Sequence, residues 1–250
     1  MRPVTPEQIL AADERLEVVP LQYYSEPEKI VYQAAKNDYS EIAIHLRSLE
    51  GVDFGRFIVD ELLGNDRGHW GPLEHPHVTF SIAGFDHSVV MQARTHRVGV
   101  SFDVQSQRYT GKRVCEVAKG ELQVEDVFYF RIPGLYLDRQ GKKYEYDEKH
   151  LWMDMEKCYD STLWYKHKVD VLGYAEEHAR FMLPQNIRQN YVFTANLRSL
   201  LHFLDLRSKK DAQIEIQTLC TAMFPFLEAW APNVWDYYAQ KRLYRARLAP

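Results

Sequence analysis

The chain has 250 residues, 46% of them hydrophobic and 26% charged, with a formal net charge of −4. That is enough chain for a self-sufficient core, and the acidic balance excludes a protein that is a nucleic-acid-binding polycation throughout. No apolar run approaches the ~18 residues of a membrane helix, the three scattered cysteines (Cys115, Cys158, Cys220) suit neither a disulfide framework nor a metal knuckle, and the first residues lack a signal-peptide pattern, so a cytoplasmic setting is expected.

In chain order, Pro27–Ala35 reads as a helix with Pro27 in its first turn. Phe54–Leu63 reads as another, closed by Gly64–Asn65. The stretch His77–Ala83 alternates Val78, Phe80 and Ile82 with mostly polar neighbours, the pattern of a half-buried strand. Asp86 is placed to cap a helix running to about Arg97, with Val89, Val90 and Ala93 inward and Gln92 and His96 sharing another face. Val98–Tyr109 shows no clean period and reads as a loop, and Val124–Ile132 is strand-like. Gly134–Leu137 pairs with Tyr144–Tyr146 across the turn Asp138–Gly141. A long helix spans roughly Asp147–Leu183, breaking at Gly173 and stopped by Pro184. Tyr191–Thr194 is a strand, Ser199–Leu206 a helix, and Asp211 caps a last long helix, Ala212–Trp230, kinked at Pro225. Helices outnumber strands without regular alternation. The expected fold is α+β, a mixed or antiparallel sheet flanked by long helices, in a single domain spanning 1–250.

Charge is segregated along this chain. Residues 92–113 hold five bases against one acid, and residues 180–210 six against one. Two cationic stretches in an acidic chain point either to local anion sites or to solvated helix faces balanced by acids elsewhere. The sequence has no Walker loop, no Gly-x-Gly-x-x-Gly, no Gly-x-Ser-x-Gly and no His-Glu-x-x-His. The densest polar cluster runs from Gln92 through Arg94, Thr95, His96 and Arg97 to Ser106, Gln107, Arg108 and Tyr109. Arginine's planar fork suits phosphates and the imide edge of a pyrimidine, while cations near a helix C-terminus equally complement its dipole. A second cluster holds Arg180, Asn196, Arg198, His202 and Arg207. A third, His69, Glu74, His75 and His77, invites a metal-hydrolase reading. The loop 92–113 used as a nucleic-acid-binding module is a further alternative.

In this order the three clusters resemble the flavin-dependent thymidylate synthase (ThyX) family. Its signature is Arg-His-Arg, seven or eight residues, then Ser, with Gln three places upstream. Here Thr95-His96-Arg97, eight residues, Ser106-Gln107-Arg108-Tyr109 and Gln92 match it with one substitution. Ala179-Arg180, Leu183-Pro184, Asn196-x-Arg198, Leu206-Arg207 and Ala212-Gln213-x-Glu215-Ile216 are similar to the family's C-terminal half, and His69 with Glu74-His75 to its upstream motif. The resemblance covers about 65–235. Thr95 replaces the motif's first arginine, with Arg94 one step earlier, ~100° away on a helix. Asp103 and Val104 replace the loop asparagine and its acidic neighbour.

The resemblance implies reductive methylation of dUMP to dTMP. Methylenetetrahydrofolate would supply the carbon, FAD reduced by NADPH the hydride, and no cysteine nucleophile or metal would be needed. It gives Arg207 the catalytic role. It assigns Gln92, Arg94, Ser106, Gln107, Arg108, Arg180 and Arg207 to dUMP. It assigns Thr95, His96, Arg97, Asn196, Arg198 and His202 (where asparagine is common) to FAD. It also implies a homotetramer whose active sites are shared between subunits, with small-molecule partners and neither nucleic acid nor membrane. Guanidinium groups from distant parts of the chain would then converge on one pyrimidine nucleotide.

Overall fold

The computed structural model describes residues 2–64 and 68–245, so Asn65 lies outside the described residues. The chain begins with α1 (Pro6–Ala12) and β1 (Glu17–Tyr23), followed by α2 (Pro27–Asn37) and α3 (Phe54–Phe57), which continues as a π-helical stretch over Ile58–Leu63. Next come β2 (His77–Asp86), α4 (His87–Ala93), β3 (Val100–Val104), α5 (Lys112–Ala118) and α6 (Val124–Val127). The hairpin β4 (Gly134–Leu137) and β5 (Lys143–Tyr146) precedes α7 (Glu148–Asp170) and α8 (Glu176–Ala179). β6 (Arg188–Asn196), α9 (Leu197–Arg207), α10 (Ile214–Trp230) and α11 (Pro232–Lys241) complete the fold.

The main sheet has the order β1-β2-β6-β3, and every pair in it is antiparallel. Successive side chains of a strand point to opposite faces. Val78, Phe80 and Ile82 of β2 and Tyr191, Phe193 and Ala195 of β6 therefore bury one face, against Val89, Phe203, Leu204, Leu219 and Met223 from α4, α9 and α10. Each large apolar side chain so buried contributes ~1.5–3 kcal/mol. A smaller core, including Val114, Val127, Phe128, Tyr165 and Ile187, lies under α5, α6 and α7.

Several expected elements come out differently. Val100, Phe102 and Val104 are half-buried and alternate with exposed Ser101 and Asp103, so the expected loop 98–109 contains β3, paired along β6. The strand expected over 124–132 begins instead as one helical turn, because the Asp126 carboxylate accepts from the Gln123 N–H at 3.0 Å and closes a capping box. Beyond it the chain is extended, with the Tyr129 N–H donating to the Asn186 carbonyl. The helix expected to reach Leu183 stops at Asp170. Gly173 takes φ +69° just beyond it, the left-handed exit that glycine favours. The α4 helix ends at Ala93 rather than Arg97, so Gln92 and His96 do not share a helical face. The last long helix starts at Ile214, after Gln213, and Asp211 does not cap it. Pro225 sits inside that helix, which continues to Trp230.

Candidate active site

Two strands feed directly into helices, and both junctions are capped by the strand's last residue. Asp86 ends β2, and its carboxylate accepts from the Ser88 and Val89 N–H groups at 2.8 and 3.3 Å. Asn196 ends β6, and its Oδ1 accepts from the Ser199 N–H at 2.8 Å. Gly99, at φ +66°, passes so close to this second cap that a Cβ there would lie 2.3 Å from Asn196 Nδ2. The Asn196 N–H donates to the Gly99 carbonyl, so the segment following α4 is tied to the start of α9.

The far end of α9 meets the same segment. Arg207 Nε donates to His96 Nε2 at 3.0 Å, and Nη2 donates to Thr95 Oγ1 at 2.5 Å. His96 is only 8% exposed. Burial first, then the Arg207 and His202 charges, push its imidazole down to about 4, so it is neutral near pH 7 and accepts the guanidinium proton. Burial also lowers the pKa of Arg207 below the ordinary arginine value. The His202 ring stands edge-on to His96 at 5.4 Å, and His202 Nδ1 is buried without a partner.

Gln92 opens a second polar chain. Its Nε2 donates to Gln213 Oε1 at 2.7 Å, Gln213 Nε2 donates to Ser88 Oγ at 2.9 Å, and the Ser88 hydroxyl donates to the Asp86 carboxylate. Gln213 thus spends its side chain on α4 rather than on capping α10. This chain ends on a cavity of about 380 Å³ whose lining includes Asp86, Tyr129, Arg131, Gln213 and Glu215. Burial, then the Glu215 charge, raises the Asp86 pKa, while Arg131 Nε holds Glu215 at 2.6 Å. Ser88 and Gln213 were not among the residues assigned from the sequence. The Ala212-Gln213-x-Glu215 match pointed to the second but carried no role for it.

The remaining expected residues fall into separate groups. Arg198 Nη1 pairs with Glu74 Oε1 at 2.6 Å, and Arg108 Nε with Glu177 Oε2 at 2.6 Å. Ser106 Oγ accepts from the Arg108 N–H at 3.4 Å. Gln107 is half-buried in the same turn. Among the described residues, no side-chain hydrogen bond or ion pair engages Arg94, Arg97 or Arg180. His87, whose Nδ1 is buried without a partner, has its pKa lowered first by burial and then by Arg94 and Arg180. Within one chain, Arg108, Arg180 and Arg207 therefore do not share a contact.

The third cluster does not assemble. His69 faces Asp38 at 3.5 Å, Glu74 holds Arg198, and His77 Nδ1 turns to the His75 carbonyl. No three His, Cys, Asp or Glu side chains converge on a metal-sized site among the described residues. Three of the five bases of 92–113 are engaged within the protein. Arg113 turns inward onto the Arg188 carbonyl, Lys112 pairs with Glu116, and Arg108 pairs with Glu177.

The family model described as "Thymidylate synthase complementing protein" matches residues 21–233. A flavin-dependent thymidylate synthase of Haloarcula marismortui is 32% identical over 94% of this chain and 100% of its own length. The chain belongs to the flavin-dependent thymidylate synthase family. The Geobacter sulfurreducens flavin-dependent thymidylate synthase is 30% identical, covering 88% of this chain and 85% of its own. Among solved structures, thymidylate synthase X of Helicobacter pylori, with FAD and dUMP, superposes with a TM-score of 0.64 at 22% identity, covering 84% of this chain and 92% of its own. A UMP/dUMP methylase of Streptomyces cacaoi reaches 0.72 at 22% identity, covering 94% and 97%. The α+β fold is shared with both of these solved structures.

Proposed function

We propose that this chain carries out the reductive methylation of dUMP to dTMP, with methylenetetrahydrofolate as carbon donor, FAD as bound cofactor and NADPH as reductant. The observation that carries the reading is the state of Arg207. Its guanidinium is held at two nitrogens by Thr95 and a neutral His96, and it lies across from the segment that supplies unpaired Arg94 and Arg97. Uracil becomes nucleophilic at C5 as negative charge builds over N3, O2 and O4. A pre-oriented donor at that edge is worth ~3 kcal/mol. The doubly held guanidinium of Arg207 suits that role. The free guanidinium of Arg180 suits the nucleotide, as do Arg94 and Gln92, while Ser106, Gln107 and Arg108 suit its phosphate.

The residues fit FAD as well. Arg97 is exposed and unpaired, which suits a pyrophosphate. Buried His202 Nδ1 lacks a partner within the described residues and is available to a ligand. Arg97, Asn196, Arg198, His96 and His202 would hold it, and the bound flavin would supply the hydride. The thiols support a route without cysteine attack. Burial raises Cys115, takes Cys158 up to about 11 and raises Cys220 further, so none is a ready thiolate. Among the described residues no helix is long and apolar enough to cross a membrane, and the proposed setting is the cytoplasm, with small-molecule substrates. Exposed Trp152, Met153, Tyr159 and Leu163 on α7 suit burial in a homotetramer.

The test is tritium release from 5-tritiated dUMP with folate, FAD and NADPH. The native protein should release tritium and form dTMP. Arg207→Ala should lose roughly a hundredfold or more in turnover while retaining FAD. Undiminished turnover in that variant would remove Arg207 from the mechanism.

A further inference from the structure

Thr95 stands where the family motif carries arginine, and its hydroxyl both donates and accepts a hydrogen bond. It donates to the Gln92 carbonyl at 2.8 Å and accepts from Arg207 Nη2 at 2.5 Å. The adjacent His96 accepts from Arg207 Nε at 3.0 Å. We propose that Thr95 and His96 are positioning residues, a two-point cradle that fixes the plane of the Arg207 guanidinium and leaves Nη1 to face the pyrimidine. Thr95 then belongs to the machinery of Arg207 and is not a flavin contact. The inference rests on the role given to Arg207 above.

Three observations support the cradle. The first is the local backbone. Neighbouring side chains on a regular helix diverge by ~100° and do not reach one target. After α4 the chain tightens instead, with the Thr95 N–H on the Gln92 carbonyl at 3.4 Å and the His96 N–H on the Ala93 carbonyl at 3.1 Å. Both side chains then meet Arg207 from the same side.

The second is donor and acceptor matching. A hydroxyl has one proton and two lone pairs. The Thr95 proton is committed to Gln92, which turns its lone pairs toward the arginine. A neutral imidazole likewise offers one bare nitrogen, and His96 is neutral for the reasons given above.

The third is charge. The arginine of the family motif, placed at position 95, would offer no acceptor and would set a second cation beside Arg207. A guanidinium held at two nitrogens keeps its plane, whereas one held at a single nitrogen can turn about that bond.

The experiment uses the flavin-loaded protein and the variants Thr95→Val, Thr95→Ser and Thr95→Arg. It measures FAD content, the dUMP dissociation constant by calorimetry, and kcat and KM separately. Thr95 is exposed, so valine adds no packing conflict, and Thr95→Ala serves as a second deletion of the hydroxyl. Loss of a hydrogen bond to a charged group should lower kcat by about ten- to a hundredfold. FAD content should stay native. Serine should restore kcat to within about threefold, because it keeps the hydroxyl. Thr95→Arg should fall at least as far as valine. Native kcat in both Thr95→Val and Thr95→Ala overturns the cradle, as does a loss that follows FAD content. If Arg207→Ala keeps native turnover, the reading beneath the cradle fails instead, and the two failures are separable.

Discussion

His96 is titrated by its surroundings before any ligand arrives. Its imidazole has an ordinary value of 6.5 and is pushed down to about 4, by burial first and then by Arg207 and His202. Below pH 6.5 the unfolded chain takes up a proton that the folded chain refuses, so the contribution to stability is intact above 6.5 and is lost as pH falls toward 4. The loss should be on the order of 3 kcal/mol. Urea unfolding midpoints measured between pH 4 and 7 should show it, and His96→Gln should flatten that part of the profile. A profile identical in the variant would show that His96 is not the group responsible. At this scale the sequence announced the residue types well and their partners poorly. The Arg-rich cluster and its separation from Arg207 along the chain were visible. That Thr95 and His96 face Arg207, that Arg198 is held by Glu74, and that Gln92 reaches Ser88 through Gln213 depend on which helix ends meet. No local pattern encodes that.

Elements were legible where one face is apolar and a boundary residue is chemically marked. β2, with alternating Val78, Phe80 and Ile82, and its Asp86 cap are examples. β3 shows the same alternation over only five residues, so no clean period stands out across 98–109 as a whole. β1 carries Pro20, which weakens a strand reading, yet it is an edge strand, where a missing N–H is tolerated. The β2 bulge is the element most exposed to a single change. Gly84 takes φ +80°, the register shifts between Ile82 and Phe85, and a Cβ at Gly84 would sit 1.9 Å from the Arg15 carbonyl oxygen. Its carbonyl accepts from buried Arg188 Nη1 at 2.7 Å, while Arg188 Nη2 pairs with Asp13 at 2.6 Å and Nε donates to the Glu125 carbonyl. One arginine thereby ties the bulge to the end of α1 and to α6. Gly84→Ala should cost about 2–4 kcal/mol through backbone strain and the displaced Arg15 segment. Chemical denaturation measures this directly, and a change below ~0.5 kcal/mol would mean that the bulge relaxes freely.

On the scale of the whole molecule, the arginines proposed for one nucleotide occupy distinct parts of a protomer. Arg108 is held by Glu177 beside α8, while Arg207 is held by Thr95 and His96. Exposed Trp152, Tyr159 and Leu163 repeat along α7 at intervals that keep them near one face, and Phe181 is 82% exposed just beyond α8. Apolar surface of that kind is stabilised by burial against another subunit. A site completed across such an interface reconciles the separated groups with a common substrate, and it has a consequence that a site within one protomer lacks. Arg108→Ala and Arg207→Ala subunits should each be nearly inactive alone. Assembled together, some sites receive Arg108 from one parent and Arg207 from the other. Random assortment in a symmetric assembly makes about a quarter of sites fully native. Co-expressed, differently tagged subunits purified through both tags should therefore regain dTMP formation that neither parent shows. If the doubly tagged hybrids stay as inactive as their parents, both arginines serve the same protomer, and the arrangement across subunits must be abandoned.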